Sequence, residues 1–214
     1  MPVRAKICGL STEAALDAAL DGGAAYVGFV LFAASPRAVS AERAAVLARR
    51  VRGRAATVAL LVDPDDVALE AALAGLRPDL LQLHGRETPA RVAEIRRLAG
   101  EAGLIKVLPV SRADDLAAAA AYDGLVDHLM FDAKPPKDAD RPGGHGAAFD
   151  WSLLAGRRFQ RPWFLAGGLD PWNLGEAVAA SGAPLVDVST GVERGPGLKD
   201  AALISAFLDA ARRA

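Results

Sequence analysis

The only cysteine of the 214 residues, Cys8, closes the run Lys6-Ile7-Cys8-Gly9. A lone cysteine cannot form an intramolecular disulfide, which leaves its thiol free for chemistry. Lys6 lies two residues earlier, so in an extended strand both side chains leave from one face. If that face is an interior, the ammonium needs an anionic partner, and Asp187 in Leu185-Val186-Asp187-Val188 is the natural candidate. The same ammonium would favour the thiolate and draw the thiol pKa down. Read without context, an isolated cysteine is more often a small buried hydrophobe, and Lys6 with Asp187 is equally well explained as a structural ion pair. Asp132 offers a second titratable group. It follows the apolar Leu129-Met130-Phe131 and should emerge at a strand end, unless it only caps a turn. Arg37, fixed after Pro36, can present a planar two-pronged donor to a carboxylate; a solvated loop charge is the alternative. Gln82 and His84 share one face of another strand and either line a site or pack structurally.

Such groups need a frame that brings them together. The chain alternates short β-branched or leucine-rich runs with longer alanine-rich segments of helical period, the pattern of repeated βα units on a parallel sheet. Strands are expected over 3–7, 25–31, 57–62, 80–84, 104–108, 126–131, 162–166 and 185–188. Eight strands at this spacing suggest closure into a single-domain α/β fold, a (β/α)8 TIM barrel over residues 1–214. Thr88-Pro89 and Asp170-Pro171 each supply an N-cap side chain followed by proline at the first helical position. Ser40, Ser111 and Ser11 or Thr12 are weaker caps of the same kind. After the sixth strand a long loop at about 133–149 is expected, because 134–146 is rich in Pro, Gly and charge without apolar period. A linker between two domains is disfavoured, since the residues after it continue the same alternation. Beside Asp132, the 134–146 stretch is also a candidate lid.

In such barrels the reactive groups stand at the C-terminal strand ends, where every residue singled out above falls. Gly167-Gly168 and Ser189-Thr190-Gly191 follow strands seven and eight, where barrels of this kind bind phosphate through backbone N–H groups. Tight βα turns would be the plainer reading. No equivalent glycine-serine pair follows strands three and four, so one phosphate site is expected.

Composition removes other classes. With 52% hydrophobic residues the chain can bury one large core, and a formal net charge of -1 gives no basic field for nucleic acid or an anionic membrane. The N-terminal residues do not read as a signal peptide, and no apolar run approaches the roughly 18 residues of a membrane span, so a cytoplasmic protein is expected. His84, His128 and His145 are scattered without metal-ligand spacing, so neither a metal site nor a catalytic role for the last two is expected.

Taken in order, Lys-Ile-Cys-Gly-Leu, Ser-Pro-Arg, Gln-Leu-His-Gly, Gly-Gly-x-Gly, Ala-Gly-Gly-Leu and Val-Asp-Val-Ser-Thr-Gly-Val-Glu resemble the phosphoribosylanthranilate isomerases, from Lys6 to Lys199. Two departures stand out: His145 where the family usually has Thr or Ser, and Thr190 where it usually has Ser. The resemblance implies a cofactor-free Amadori rearrangement in tryptophan biosynthesis, with Cys8 as base, Asp132 as acid and Arg37 on the anthranilate carboxylate. It also implies substrate contacts from His84, Asp187, Gly167, Gly168, Ser189, Thr190 and Gly191 to a small phosphorylated molecule. A monomer or homodimer would serve. The related isomerase of histidine biosynthesis is the nearest rival, but that family uses aspartate at the position of Cys8 and needs a second phosphate loop. A non-catalytic sugar-phosphate-binding barrel would need neither titratable group.

Overall fold

The first strand shows how the barrel is written. In Arg4-Ala5-Lys6-Ile7-Cys8, Ala5 and Ile7 join the large apolar cluster outside the sheet, while Lys6 and Cys8 turn to the barrel interior, the alternation a strand imposes. The same inward parity runs through Tyr26, Gly28 and Val30, through Leu80, Gln82 and His84, and through His128, Met130 and Asp132. The computed structural model describes residues 3–135, 143–144, 146 and 148–214.

Eight parallel strands close on themselves in chain order: β1 (Arg4–Cys8), β2 (Tyr26–Val30), β3 (Ala56–Leu61), β4 (Leu80–Leu83), β5 (Gly103–Val110), β6 (His128–Ala133), β7 (Trp163–Leu165) and β8 (Leu185–Val188). The seam is the β1–β8 pairing, whose register sets Lys6 opposite Asp187. Outside lie α1 (Glu13–Asp21), α2 (Ala41–Val51), α3 (Asp66–Leu76), α4 (Pro89–Leu98), α5 (Leu174–Ser181) and α6 (Ala201–Arg213). A short antiparallel pair, β9 (Glu193–Gly195) with β10 (Leu198–Lys199), is inserted between β8 and α6. Among the described residues, no helix is long and apolar enough to cross a membrane.

Several expected caps form. Thr12, Ser40 and Thr88 each accept a backbone N–H three residues on, and Pro89 opens α4. Two differ. α5 begins at Leu174, not at Pro171, because Asp170 accepts from the N–H groups of Trp172 and Asn173 and so closes a turn ahead of the helix. Ser111 is not a cap but donates to Asp115, whose carboxylate also gathers the N–H groups of Ser111 and Arg112. The fifth and sixth helical positions hold 3-10 helices, Ala113–Ala121 and Trp151–Leu154, in place of α-helices. Most of the candidate lid, including His145, lies outside the described residues.

Candidate active site

At the C-terminal end of the barrel the inward-facing residues surround a cavity of about 230 Å³. Cys8, Arg37, His84 and Asp132 line it, as do Gly167, Gly168, Asp187 and the Ser189-Thr190-Gly191 turn. The ten residues expected to serve a site thus come from six different strand ends to one space. Strand parity does this: Cys8, His84, Asp132, Asp187 and Ser189 each sit one step beyond an outward-facing apolar residue.

Lys6 is fully buried behind Cys8, and its Nζ donates to Asp187 Oδ1 at 2.9 Å. Burial alone would lower the Lys6 pKa, but Asp187 and the Cys8 sulfur outweigh it and hold the ammonium above its ordinary value. Gly28 makes the room. A Cβ there would stand 3.1 Å from both Cys8 Sγ and Lys6 Nζ, which explains a glycine in mid-strand. The expected fall in the thiol pKa does not occur. Burial pushes the Cys8 thiol up, and the pull of the Lys6 ammonium, itself opposed by Asp187, does not reverse it.

Asp132 reaches the cavity from β6 with Oδ1 accepting the N–H of Ala133 at 2.8 Å. Its Oδ2 lies 3.2 Å from His84 Nε2, in contact but not aligned as a hydrogen bond. On the far side of that ring, Gln82 Nε2 stands 3.4 Å from Nδ1. With the Gln82 amide donating, the imidazole proton belongs on Nε2, facing Asp132. Gln82 is fully buried and its Oε1 has no partner among the described residues.

The glycine turn after β7 has Gly167 at φ +83 and Gly168 at φ +68, a conformation that side-chain-bearing residues rarely adopt. Asn173 braces it, with Nδ2 donating to Gly168 O at 2.8 Å and Oδ1 accepting from Asp170 N at 2.8 Å. Among the described residues, the N–H groups of Gly167, Gly168 and Leu169 find no protein acceptor. That is what an anion cradle requires. At the neighbouring turn a Cβ on Gly191 would overlap the Leu169 carbonyl, so only glycine lets the two turns meet.

Arg37 is 5% exposed and already uses its fork: Nε and Nη2 donate to the two carboxylate oxygens of Glu193 at 2.7 and 2.8 Å. Nη2 also reaches Thr190 Oγ1 at 3.1 Å. Among the described residues, what remains for a ligand is Nη1 and the charge, rather than both prongs.

The chain is similar to known proteins over nearly its whole length. The family model described as N-(5'phosphoribosyl)anthranilate (PRA) isomerase matches residues 5–210. The chain belongs to the PRA isomerase family. The N-(5'-phosphoribosyl)anthranilate isomerase of Caulobacter vibrioides is 63% identical over 211 residues, 98% of this chain and 96% of that relative. The solved PRA isomerase of Thermotoga maritima is similar at a TM-score of 0.86 and 31% identity, over 99% of this chain and 100% of that one. A PRA isomerase solved in complex with reduced 1-(o-carboxyphenylamino)-1-deoxyribulose 5-phosphate has a TM-score of 0.83 at 30% identity, again over 99% and 100%.

Within this PRA isomerase fold, the sequence left four site-building residues unassigned. Gly28 carried a signal, a glycine inside a strand pattern. Gln82 shared with His84 the open choice between lining a site and packing structurally. Glu193 and Lys199 lie beyond the last strand, and nothing local ties them to Arg37. His128 stays at the opposite end of the barrel, its ring centroid 5.4 Å from that of Phe164, and burial lowers its pKa.

Proposed function

We propose that this chain, a PRA isomerase of tryptophan biosynthesis, performs its rearrangement with Cys8 as general base and Asp132 as general acid. The substrate is N-(5'-phosphoribosyl)anthranilate. Asp132 gives a proton to the ribose ring oxygen, the C1′–O bond breaks, and the anthranilate nitrogen takes up the electron deficit as a protonated Schiff base. The Cys8 thiolate then removes the C2′ proton, and the bonding pair moves to form the enolamine. Tautomerisation places a proton on C1′ and releases the one on the 2′-hydroxyl, giving 1-(o-carboxyphenylamino)-1-deoxyribulose 5-phosphate. Protons and electrons balance within the substrate and two side chains, so the chemistry asks for no cofactor.

Binding follows the same map. The phosphate sits against the free N–H groups of 167–169 and the 189–191 turn, and Arg37 Nη1 faces the anthranilate carboxylate. Asp187 anchors the Lys6 ammonium beside Cys8, where the cation favours transient thiolate. His84 lines the sugar's path and steadies Asp132, leaving Gln82 Oε1 for a sugar hydroxyl. All of these residues come from one chain, so a monomer or a homodimer would serve, in the cytoplasm where such biosynthesis runs.

The observation that carries this reading is the convergence of the Cys8 thiol, the Asp132 carboxyl and the backbone N–H groups of 167–169 on a single cavity. Purified protein should remove the fluorescence of its substrate at a rate proportional to enzyme. The two-phosphate aminoaldose of histidine biosynthesis, offered in parallel, should be left unchanged, since only one phosphate turn is built here. Equal turnover of both would contradict the assignment.

A further inference from the structure

Glu193 lies between two cations. Its Oε1 accepts from Arg37 Nε and from Lys199 Nζ, each at 2.7 Å, and its Oε2 accepts from Arg37 Nη2 at 2.8 Å and from Gly197 N at 3.2 Å. All three side chains are almost wholly buried, at 5% for Arg37 and 2% each for Glu193 and Lys199. A buried carboxylate shared by two buried cations leaves one positive charge in excess, an expensive arrangement unless an anion completes it.

Each cation also reaches past Glu193 to one hydroxyl residue of the phosphate turn. Arg37 Nη2 donates to Thr190 Oγ1 at 3.1 Å, and Lys199 Nζ donates to Ser189 O at 2.8 Å and to Ser189 Oγ at 3.1 Å. Ser189 Oγ passes its own proton toward the Cys8 carbonyl at 3.3 Å. Among the described residues, the carboxylate is thus the one side chain joined both to the arginine of one anion subsite and to the lysine that holds the other.

We propose that Glu193 is a positioning residue that makes one unit of the two anion subsites, setting Arg37 for the substrate carboxylate and, through Lys199, setting Ser189 at the phosphate turn. This rests on the subsites assigned above. Removing the charge of Glu193 should loosen both ends of the substrate together, while removing Lys199 loosens the phosphate end alone.

The test uses two competitive probes of turnover, inorganic phosphate and free anthranilate, against the parent enzyme and folded variants. Glu193→Gln should raise both inhibition constants by about tenfold, the worth of one charged hydrogen bond, and raise KM more than kcat falls. Lys199→Met should raise the phosphate constant alone, and Lys199→Arg should recover part of it. General destabilisation would instead reduce the active fraction without moving either constant. A Glu193→Gln enzyme that shifts one probe only, or neither, overturns the proposal. Should that variant fail to fold, an unchanged phosphate constant in Lys199→Met overturns it equally. Arg37→Ala and Gly168→Val serve as controls: if both leave both constants unmoved, the subsites themselves are misassigned and the coupling falls with them.

Discussion

The two ends of the barrel use the same strands and the same inward-facing parity for opposite purposes. At the N-terminal end those positions hold Tyr26, Val58, Leu80, Ile105, Phe164 and Leu185 in one closed apolar cluster, with the Tyr26 and Phe164 rings edge-on and 5.1 Å apart. Two or four residues further along, the same strands present Gly28, Gln82, His84 and Asp187. One end is filled, and the other carries a glycine, a buried ion pair and an amide oxygen without a partner among the described residues. Stability is concentrated where large apolar side chains interdigitate, and reactivity where space and charge are kept at stability's expense.

That contrast is broken most directly at its reactive end. Cys8→Ala and Asp132→Asn should each lower turnover by ~10²–10⁴-fold, the usual contribution of a positioned proton donor or acceptor, with thermal unfolding close to the parent's. At the filled end the pattern should invert. Phe164→Ala should cost about 3–5 kcal/mol of stability, read as a shifted denaturant midpoint, yet leave kcat/KM per folded molecule near the parent value. If Phe164→Ala harms the folded enzyme's turnover as much as Cys8→Ala does, the two ends are not separable.

Smaller effects sharpen the picture within the mouth. Gly168→Val should raise KM by roughly tenfold, since a β-branched residue cannot hold φ +68 and the cradle loses N–H donors to the phosphate. An unchanged KM in folded protein would remove phosphate from that turn. Arg37→Lys should weaken binding less than Gly168→Val, because charge survives while the fork on Glu193 is lost. Parent-like behaviour even of Arg37→Ala would place the anthranilate contact elsewhere.

The strands and their inward parity were legible because each is a short apolar run bounded by turn residues, and the observed bounds fall within about two residues of the expected ones. What the sequence hid was depth and distance. Lys6 beside Cys8 is plain in the chain, but the degree of burial that lifts the thiol pKa is set by the closed barrel and Asp187 from its far end. Arg37 looked like a free fork, because its partner Glu193 is 156 residues away with no local pattern joining them. Asp170-Pro171 copied the form of a helix start, yet the Asp170 carboxylate was taken up by its own turn.

The assignment of Cys8 as base is tested most directly by the pH dependence of kcat/KM, which reports ionisations of the free enzyme. Because burial raises the Cys8 thiol above its usual value, and only the thiolate accepts the C2′ proton, activity should still be rising with pH beyond about 8.5, the ordinary thiol value. Cys8→Ser should lose that rise together with most turnover, a serine hydroxyl being too weak an acid to supply the base. A parent profile already flat by pH 7, or the same rising limb in Cys8→Ser, would contradict it.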